Sequence, residues 1–223
     1  MLKATNHLNF FLLLGLMGSL APCRAQGNSP QLKLWYDQPA SLWEEALPLG
    51  NGTTGAMGFG GLSKDRFQIN DNTLWSGEPD AGNNANGPQV LPQVRQAIFA
   101  GKYEEAAVLW KKMQGPYSAR YLPMGDLWLD FHQDEKKIKD YKRELDLERA
   151  INLVSYSYQG VQYLRESFVS FPDKALVVRL KADKKKSITF DLSLTSKLKY
   201  SVSAQGNNQL TLQGKAPSFV ANR

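Results

Sequence analysis

The chain has 223 residues, of which 42% are hydrophobic, 22% charged and 11% aromatic, and its formal net charge is +6. Disordered chains contain few apolar residues and a larger net charge, so this composition excludes that class and favours a folded domain. The run Lys184–Lys186 lies in a predicted turn, and no RRM, KH or helix-turn-helix signature accompanies the excess charge. We therefore expect no nucleic-acid partner.

The first 25 residues have the form of a secretory signal peptide. An apolar run, Leu8–Leu20, is followed by small residues before a cleavage site after Ala25. This run is too short to cross a bilayer as a helix, and no later stretch is longer, so we expect an exported protein without a membrane span. Residues 26–31 form a polar linker, and the folded domain is expected over residues 32–223.

Export predicts a periplasmic or extracellular location. The only cysteine of the chain, Cys23, lies in the segment that is removed, so the mature chain cannot form a disulfide. Residues 20–23 weakly resemble a lipoprotein cleavage box, but Pro22 directly before the lipidated cysteine would be unusual. We therefore favour cleavage after Ala25 over anchoring through Cys23.

Alternation of apolar and polar residues predicts β-strands through most of the chain. The first strands are expected at 32–36, 56–59 and 66–70, and the dipeptide Gln159-Gly160 predicts a tight hairpin turn. Short strands at spacings of about ten residues are typical of an antiparallel sandwich, so the predicted fold class is mainly β. The later strands are expected at 127–131, 141–146, 152–158, 161–170, 175–180, 187–194, 199–204 and 209–213.

Between residues 88 and 114, the hydrophobic residues no longer alternate as in a strand but follow the spacing of a helix. Val90, Val94 and Ile98 recur every four residues, and a second set from Tyr103 to Met113 repeats the pattern. Gly101 separates the two sets. This spacing predicts a short helical hairpin inserted into the β fold.

Several kinds of chemistry lack the residues they need. The segment Gly50–Gly55 fits G-x-G-x-x-G, but Pro48 precedes it and glycines follow where a dinucleotide site needs a helix, so we expect a glycine turn. After cleavage His132 is the only histidine and no thiol remains, which leaves no metal site, no cofactor and no histidine-dependent nucleophile beyond a strand-end histidine.

Carboxylates need separate consideration, because two of them suffice for glycoside hydrolysis. Asp126 and Asp130 share one strand face, and Glu144, Asp146 and Glu148 show the same spacing. Alternating charges of this kind usually form the solvated face of a strand. We expect no catalytic dyad among them.

The segment Asn70–Gly77 interleaves amides with an indole. A Trp ring against the C–H bonds of a sugar, with amides bonding its hydroxyls, is the usual physics of carbohydrate recognition. The alternative is that Trp75 anchors a loop in the core, and the residue types alone favour that alternative.

Seven segments together resemble the N-terminal domain of glycoside hydrolase family 95, the inverting α-L-fucosidases. The resemblance covers nearly all of residues 32–220 in order, although Phe219 stands where the family has a histidine. The segments are Ala46–Gly52, Gly55–Met57, Asn70–Gly77, Gly125–Phe131, Tyr141–Leu147, Gly160–Glu166 and Ser170–Asp173.

The resemblance implies a β-sandwich of the super-sandwich type that precedes a helical linker, an (α/α)6 catalytic barrel and a C-terminal β domain. The general acid, the general base and the asparagines that orient water lie in the barrel, so no catalytic residue is carried over to this chain. It also implies that four residues near the barrel edge the sugar site: Asn51, Asn70, Asn72 and Trp75.

The leading hypothesis is therefore the exported N-terminal domain of an α-L-fucosidase acting on fucosylated glycans, in a truncated or split form that is inactive alone. Two alternatives remain open. One is a non-catalytic module that binds carbohydrate, and the other is a structural subunit that complements a separately encoded barrel. The expected partners are a fucosylated glycan and the barrel, in cis or in trans.

Overall fold

The computed structural model describes residues 32–77, 82–115 and 119–220, and the predicted signal peptide and linker lie outside these ranges. The described residues form twelve β-strands and two α-helices, α1 (Gly87–Phe99) and α2 (Tyr103–Lys111). The strands are β1 (Lys33–Tyr36), β2 (Leu47–Gly50), β3 (Thr54–Gly58), β4 (Lys64–Asp71), β5 (Gly125–Asp130), β6 (Ile138–Asp146), β7 (Ile151–Tyr158), β8 (Val161–Ser170), β9 (Ala175–Ala182), β10 (Asp191–Thr195), β11 (Lys199–Gln205) and β12 (Gln209–Lys215).

Ten of these strands form two antiparallel sheets. Sheet 1 has the order β1-β6-β7-β8-β9, and sheet 2 has the order β10-β5-β4-β3-β2. Strands β11 and β12 form a separate hairpin. The turn between β7 and β8 lies at Gln159 and Gly160, whose φ angles of 49° and 74° match the predicted tight hairpin turn.

The two sheets pack face to face. Leu47, Leu49 and Ala56 of sheet 2 form a buried cluster with Leu145 of sheet 1. A second cluster combines Phe67, Leu129 and Phe131 with partly buried side chains of β9, among them Val178 and Leu180. These contacts confirm the predicted antiparallel β-sandwich, because each sheet buries one face against the other.

The helical hairpin lies where the period predicted it. Helices α1 and α2 pack on each other, and Gly101, with a φ of 72°, makes the turn between them. Val94, Ala97 and Ala106 are buried. Within the described part of the chain, no helix is long and apolar enough to span a bilayer.

Three features differ from the sequence predictions. Strand β2 was not predicted because Pro48 and Gly50 are typical of turns, but β2 is the last strand of its sheet, where a missing N–H is tolerated. Strand β10 begins at Asp191, four residues later than expected. Glu144 and Asp146 are buried at 9% and 8% exposure instead of forming a solvated face. Glu144 lies close to two lysine ammonium groups, Lys33 and Lys142.

Candidate functional site: a groove on the outer face of sheet 2

The candidate site is a groove of about 420 Å³ on the outer face of sheet 2. Its floor consists of neighbouring positions on β3 and β4, where Gly55 lies opposite Asn70 and Met57 lies opposite Gln68. The alternate residues Ala56 and Ile69 also border the groove, although Ala56 belongs to the core cluster and Ile69 packs against it. Because Gly55 has no side chain, the floor stays open at that position. Trp43, Leu49, Tyr121 and Pro123 also line the groove.

A short 3-10 turn holds Trp43 at the groove. The Glu45 carboxylate accepts hydrogen bonds from the backbone N–H groups of Ser41 (2.7 Å) and Leu42 (3.2 Å) and from the Ser41 hydroxyl (3.0 Å). The first of these bonds is the main cause that lowers the pKa of Glu45, because it stabilises the charged form. The turn is therefore closed by an ionised carboxylate at neutral pH.

Arg143 of sheet 1 fixes the same turn from inside the sandwich. Its Nε donates to the carbonyl of Gln38 (2.7 Å), and its Nη1 donates to the carbonyl of Glu45 (2.6 Å). The guanidinium also lies 4.1 Å from the ring centroid of Tyr36. Since Arg143 is only 2% exposed, these contacts are shielded from water and hold the loop that carries Trp43.

Trp75 holds Tyr121 at the groove. The two residues form an isolated antiparallel bridge, and their ring centroids are 5.2 Å apart. The Leu122 N–H donates to the carbonyl of Leu74 (3.0 Å), and the Trp75 indole N–H donates to the carbonyl of Asn72 (2.8 Å). The Trp75 ring thus supports a segment that comes from beyond the helical hairpin.

The structure separates the four residues predicted near sugar. Asn70 lines the groove, and its Oδ1 accepts from the Met124 N–H (2.9 Å). Asn51 instead closes the turn between β2 and β3, accepting from the N–H groups of Thr53 and Thr54 and donating to the carbonyl of Ser170 (2.8 Å). The segment Gly50–Gly55 is therefore the glycine turn that the sequence predicted.

The other two predicted residues lie beside the groove. Asn72 donates to the carbonyl of Gly52 (3.3 Å), and its own carbonyl receives the Trp75 indole. Trp75 is 47% exposed and does not line the groove. Its indole N–H is already bonded within the chain, to the Asn72 carbonyl.

Among the groove residues that sequence reasoning missed, three have polar side-chain groups: Trp43, Gln68 and Tyr121. None of their polar groups has a hydrogen-bond partner among the described residues: the Trp43 indole N–H, the Gln68 amide and the Tyr121 hydroxyl. By contrast, the indole of Trp128 donates to the Thr195 hydroxyl (3.0 Å). A signal for Gln68 was present, because it alternates with Phe67 and Ile69 and therefore faces outward.

The ionisable groups lie elsewhere. Both carboxylate oxygens of Asp126 accept from one nitrogen, Arg66 Nη2, at 3.0 and 2.9 Å. His132 lies just after β5, as predicted, with Asp191 2.7 Å from its Nε2 and Asp130 3.2 Å from its Nδ1. Among the described residues, no group of three or more His, Cys, Asp or Glu side chains is arranged to hold a metal ion.

Comparisons with known proteins agree with the motif resemblance. A family model described as the N-terminal domain of glycosyl hydrolase family 65 matches residues 34–222. Alpha-L-fucosidase 2 of Arabidopsis thaliana is 37% identical over 192 residues, covering 85% of this chain and 23% of that protein. Probable alpha-fucosidase A of Aspergillus niger is 33% identical over 195 residues, covering 82% of this chain and 24% of that protein.

The chain thus spans about a quarter of the length of these curated relatives. The matched family carries the number 65 in its description, whereas the quoted motifs resemble family 95; the fucosidase names of the relatives agree with the latter. The resemblance to the N-terminal domain of a fucosidase is confirmed. Residues 32–220, where described, contain no helical barrel.

Proposed function

The chain belongs to the family of glycosyl hydrolase family 65 N-terminal domains, and from this membership we propose that it is the N-terminal accessory domain of an exported α-L-fucosidase. Its catalytic partner is a helical barrel, joined to this domain or made as a separate chain. The full enzyme removes terminal α-L-fucose from fucosylated glycans. The observation that carries the proposal is the ordered match of almost the whole described domain to relatives named as fucosidases.

The environments of the carboxylates support a non-catalytic role for the domain itself. Glycoside hydrolysis needs two carboxyl groups that are free to act on the sugar, one as acid and one as base or nucleophile. Here Asp126 is bound by Arg66, and Glu144 by Lys33 and Lys142. The Lys142 contact is the main cause that lowers the pKa of Glu144, so this group is unsuited to act as an acid near neutral pH.

Exposed aromatic side chains on the helical hairpin support a protein partner. Phe99 is 88% exposed, and Tyr103 and Trp110 are also exposed. Apolar side chains clustered on one exposed element are typical of interaction surfaces. We propose that the catalytic barrel covers this hairpin in the assembled enzyme.

A two-part assay tests the proposal. The purified chain alone should not hydrolyse a nitrophenyl α-L-fucoside. Co-expression with a tagged family 95 barrel should give a co-purifying pair that hydrolyses it faster than the barrel alone. Turnover by the isolated chain, or failure of the pair to co-purify, contradicts the proposal.

Two further functions from the sequence analysis stay as proposals. A free module that binds glycans without cleaving them is favoured by the uncharged aromatic groove. A structural subunit for a separately encoded barrel is favoured by the exposed hairpin. Export by cleavage after Ala25, to the periplasm or the cell exterior, is proposed from the form of the first 25 residues.

A further inference from the structure

The charge of the groove restricts its ligand first. No Asp, Glu, Lys or Arg lines it, although the chain as a whole has 48 such side chains when its 27 basic and 21 acidic residues are taken together. A charged ligand would find no opposite charge to repay its desolvation. The groove therefore suits a neutral ligand, and its volume of about 420 Å³ lies within the range of small-molecule sites.

The aromatic residues restrict the ligand further. Trp43 is 56% exposed and Tyr121 is 47% exposed; Glu45 closes the backbone turn that carries Trp43, and the Tyr121 ring packs on Trp75. Exposed aromatic rings offer flat apolar surfaces to a ligand. A pyranose ring has a matching flat face of C–H bonds.

Polar groups in the groove that have no partner in the described chain can bond the hydroxyl groups of a ligand. The Gln68 amide, the Trp43 indole N–H and the Tyr121 hydroxyl have no partner in the described chain. The Nδ2 group of Asn70 also makes no hydrogen bond there, while its Oδ1 is held by Met124. Donors and acceptors beside apolar rings are the arrangement that recognises hydroxyl groups on an otherwise apolar ligand face.

A peptide fits the same groove less well. Extended peptides usually bind by adding a strand to a free sheet edge. The floor here lies on β3 and β4, each of which pairs with a strand on both sides. Its backbone groups are therefore already used, and only side chains are available to a ligand.

We propose that this groove is a binding subsite for one neutral pyranose unit of a glycan. Trp43 and Tyr121 contact the C–H face of the ring, and Gln68 and Asn70 bond its hydroxyls. The choice of a fucosylated glycan as ligand rests on the proposed function, whereas the binding of a neutral sugar rests on the groove alone.

Indole signals in a nitrogen–proton correlation spectrum test the proposal on the intact chain. The five tryptophans give separate indole signals, assigned by single Trp→Phe variants. Titration with fucosyllactose should shift the Trp43 signal saturably, with a Kd on the order of a millimolar, as expected for one pyranose site. The signal of Trp35, exposed on sheet 1, should not move and is the internal control.

Substitutions test the contacts. Trp43→Ala and Gln68→Ala should each weaken binding by about tenfold, the effect of losing one ring contact or one hydrogen-bonded pair. Trp35→Ala removes an exposed indole outside the groove (63% exposed, against 56% for Trp43) and should bind as the wild type does. Dispersed backbone signals in each variant show that the domain is still folded.

The outcomes separate the subsite from the proposed function. No saturable Trp43 shift, or wild-type binding by folded Trp43→Ala and Gln68→Ala chains, overturns the subsite. Equal binding of lactose and fucosyllactose supports the subsite but contradicts a preference for fucose. Failure of the chain to co-purify with a barrel contradicts the proposed function and leaves the subsite unaffected.

Discussion

Two polar regions of the molecule lie on opposite sides of sheet 2. They differ in whether their polar groups form hydrogen bonds within the chain. Inside the sandwich, Asp65 is fully buried and both carboxylate oxygens are used: Arg165 Nη1 donates to one (2.9 Å), and the N–H groups of Gly61 and Arg66 donate to the other (2.8 Å each). In the outer groove, the Gln68 amide, the Trp43 indole N–H and the Tyr121 hydroxyl have no hydrogen-bond partner among the described residues.

The difference separates polar groups that build the fold from those that are left for a ligand. A buried charge that loses its partner costs far more than an exposed one, so each buried charged group needs an oppositely charged partner within the chain. The groove is in contact with water, which bonds its polar groups until a ligand replaces it. Substitutions in the interior should therefore lower stability, and those in the groove should lower binding only.

The largest effect is expected at the buried ion pair. Asp65→Ala leaves the Arg165 guanidinium charged and without its carboxylate between the rings of Phe131 and Tyr156. We expect the free energy of unfolding to fall by about 3–5 kcal/mol, measured by urea denaturation. The matched control is Glu105→Ala, which breaks an exposed pair with Lys102 and should cost no more than about 1 kcal/mol. Equal losses in the two variants would remove the distinction between the regions.

A smaller loss of stability is expected at Gly61, which bonds both members of that pair. A Cβ at this position would lie 2.0 Å from the backbone oxygen of Lys64, and backbone cannot move aside as a flexible side chain can. Gly61→Ala should therefore cost roughly 1–3 kcal/mol or more by overpacking. At Gly55 the nearest atom to an added Cβ would be 3.8 Å away. The free energy of unfolding of Gly55→Ala should therefore lie within about 1 kcal/mol of the wild-type value. A harmless Gly61→Ala would show that this loop is not closely packed.

Gln68→Ala should leave stability almost unchanged. Although Gln68 is half-buried on a central strand, its amide makes no bond within the described chain that the substitution could remove. The free energy of unfolding, measured by urea denaturation, should change by no more than about 0.5 kcal/mol. A loss as large as that of Gly61→Ala would mean that the groove amide belongs to the fold, and the contrast between the two regions would fail.

Most strands and the helical insertion could be predicted from the sequence, because side-chain alternation and four-residue spacing are local patterns. Strand β2 could not be predicted in this way. Pro48 is compatible with a strand only at a sheet edge, and the order of the other strands decides which strand lies at the edge. Asn51 and Asn72 have the right chemistry for sugar, but their amides are used in turns.

The groove itself could not be predicted from local patterns. Trp43 and Tyr121 come from segments separated by β2, β3, β4 and the helical hairpin, and only the folded sheet brings them to one surface. Arg143, which fixes the loop of Trp43, lies on the other sheet. Such pairings depend on strand order, which alternation along one strand does not encode.

His132 has two carboxylate partners but is exposed to water. It therefore tests whether a polar contact stabilises the fold because it is made or because it is buried. Its hydrogen bond to Asp191 is the main cause that raises its pKa, and the nearby charge of Asp130 adds to this. A raised pKa in the folded state means that the imidazolium stabilises the fold fully below the unfolded value of about 6.5, and that this contribution is lost as pH rises through the folded pKa.

The difference in unfolding free energy between the wild type and Asp191→Asn should therefore be present at mildly acidic pH and shrink toward zero above the folded pKa. It should be far smaller than the effect at the buried ion pair, because water screens an exposed pair. Urea unfolding across this pH range measures it, and a proton NMR titration of the imidazole should show a lower pKa in Asp191→Asn. If Asp191→Asn changes neither the imidazole pKa nor the pH dependence of stability, the exposed contact does not stabilise the fold, and burial alone decides which polar contacts hold the sandwich together.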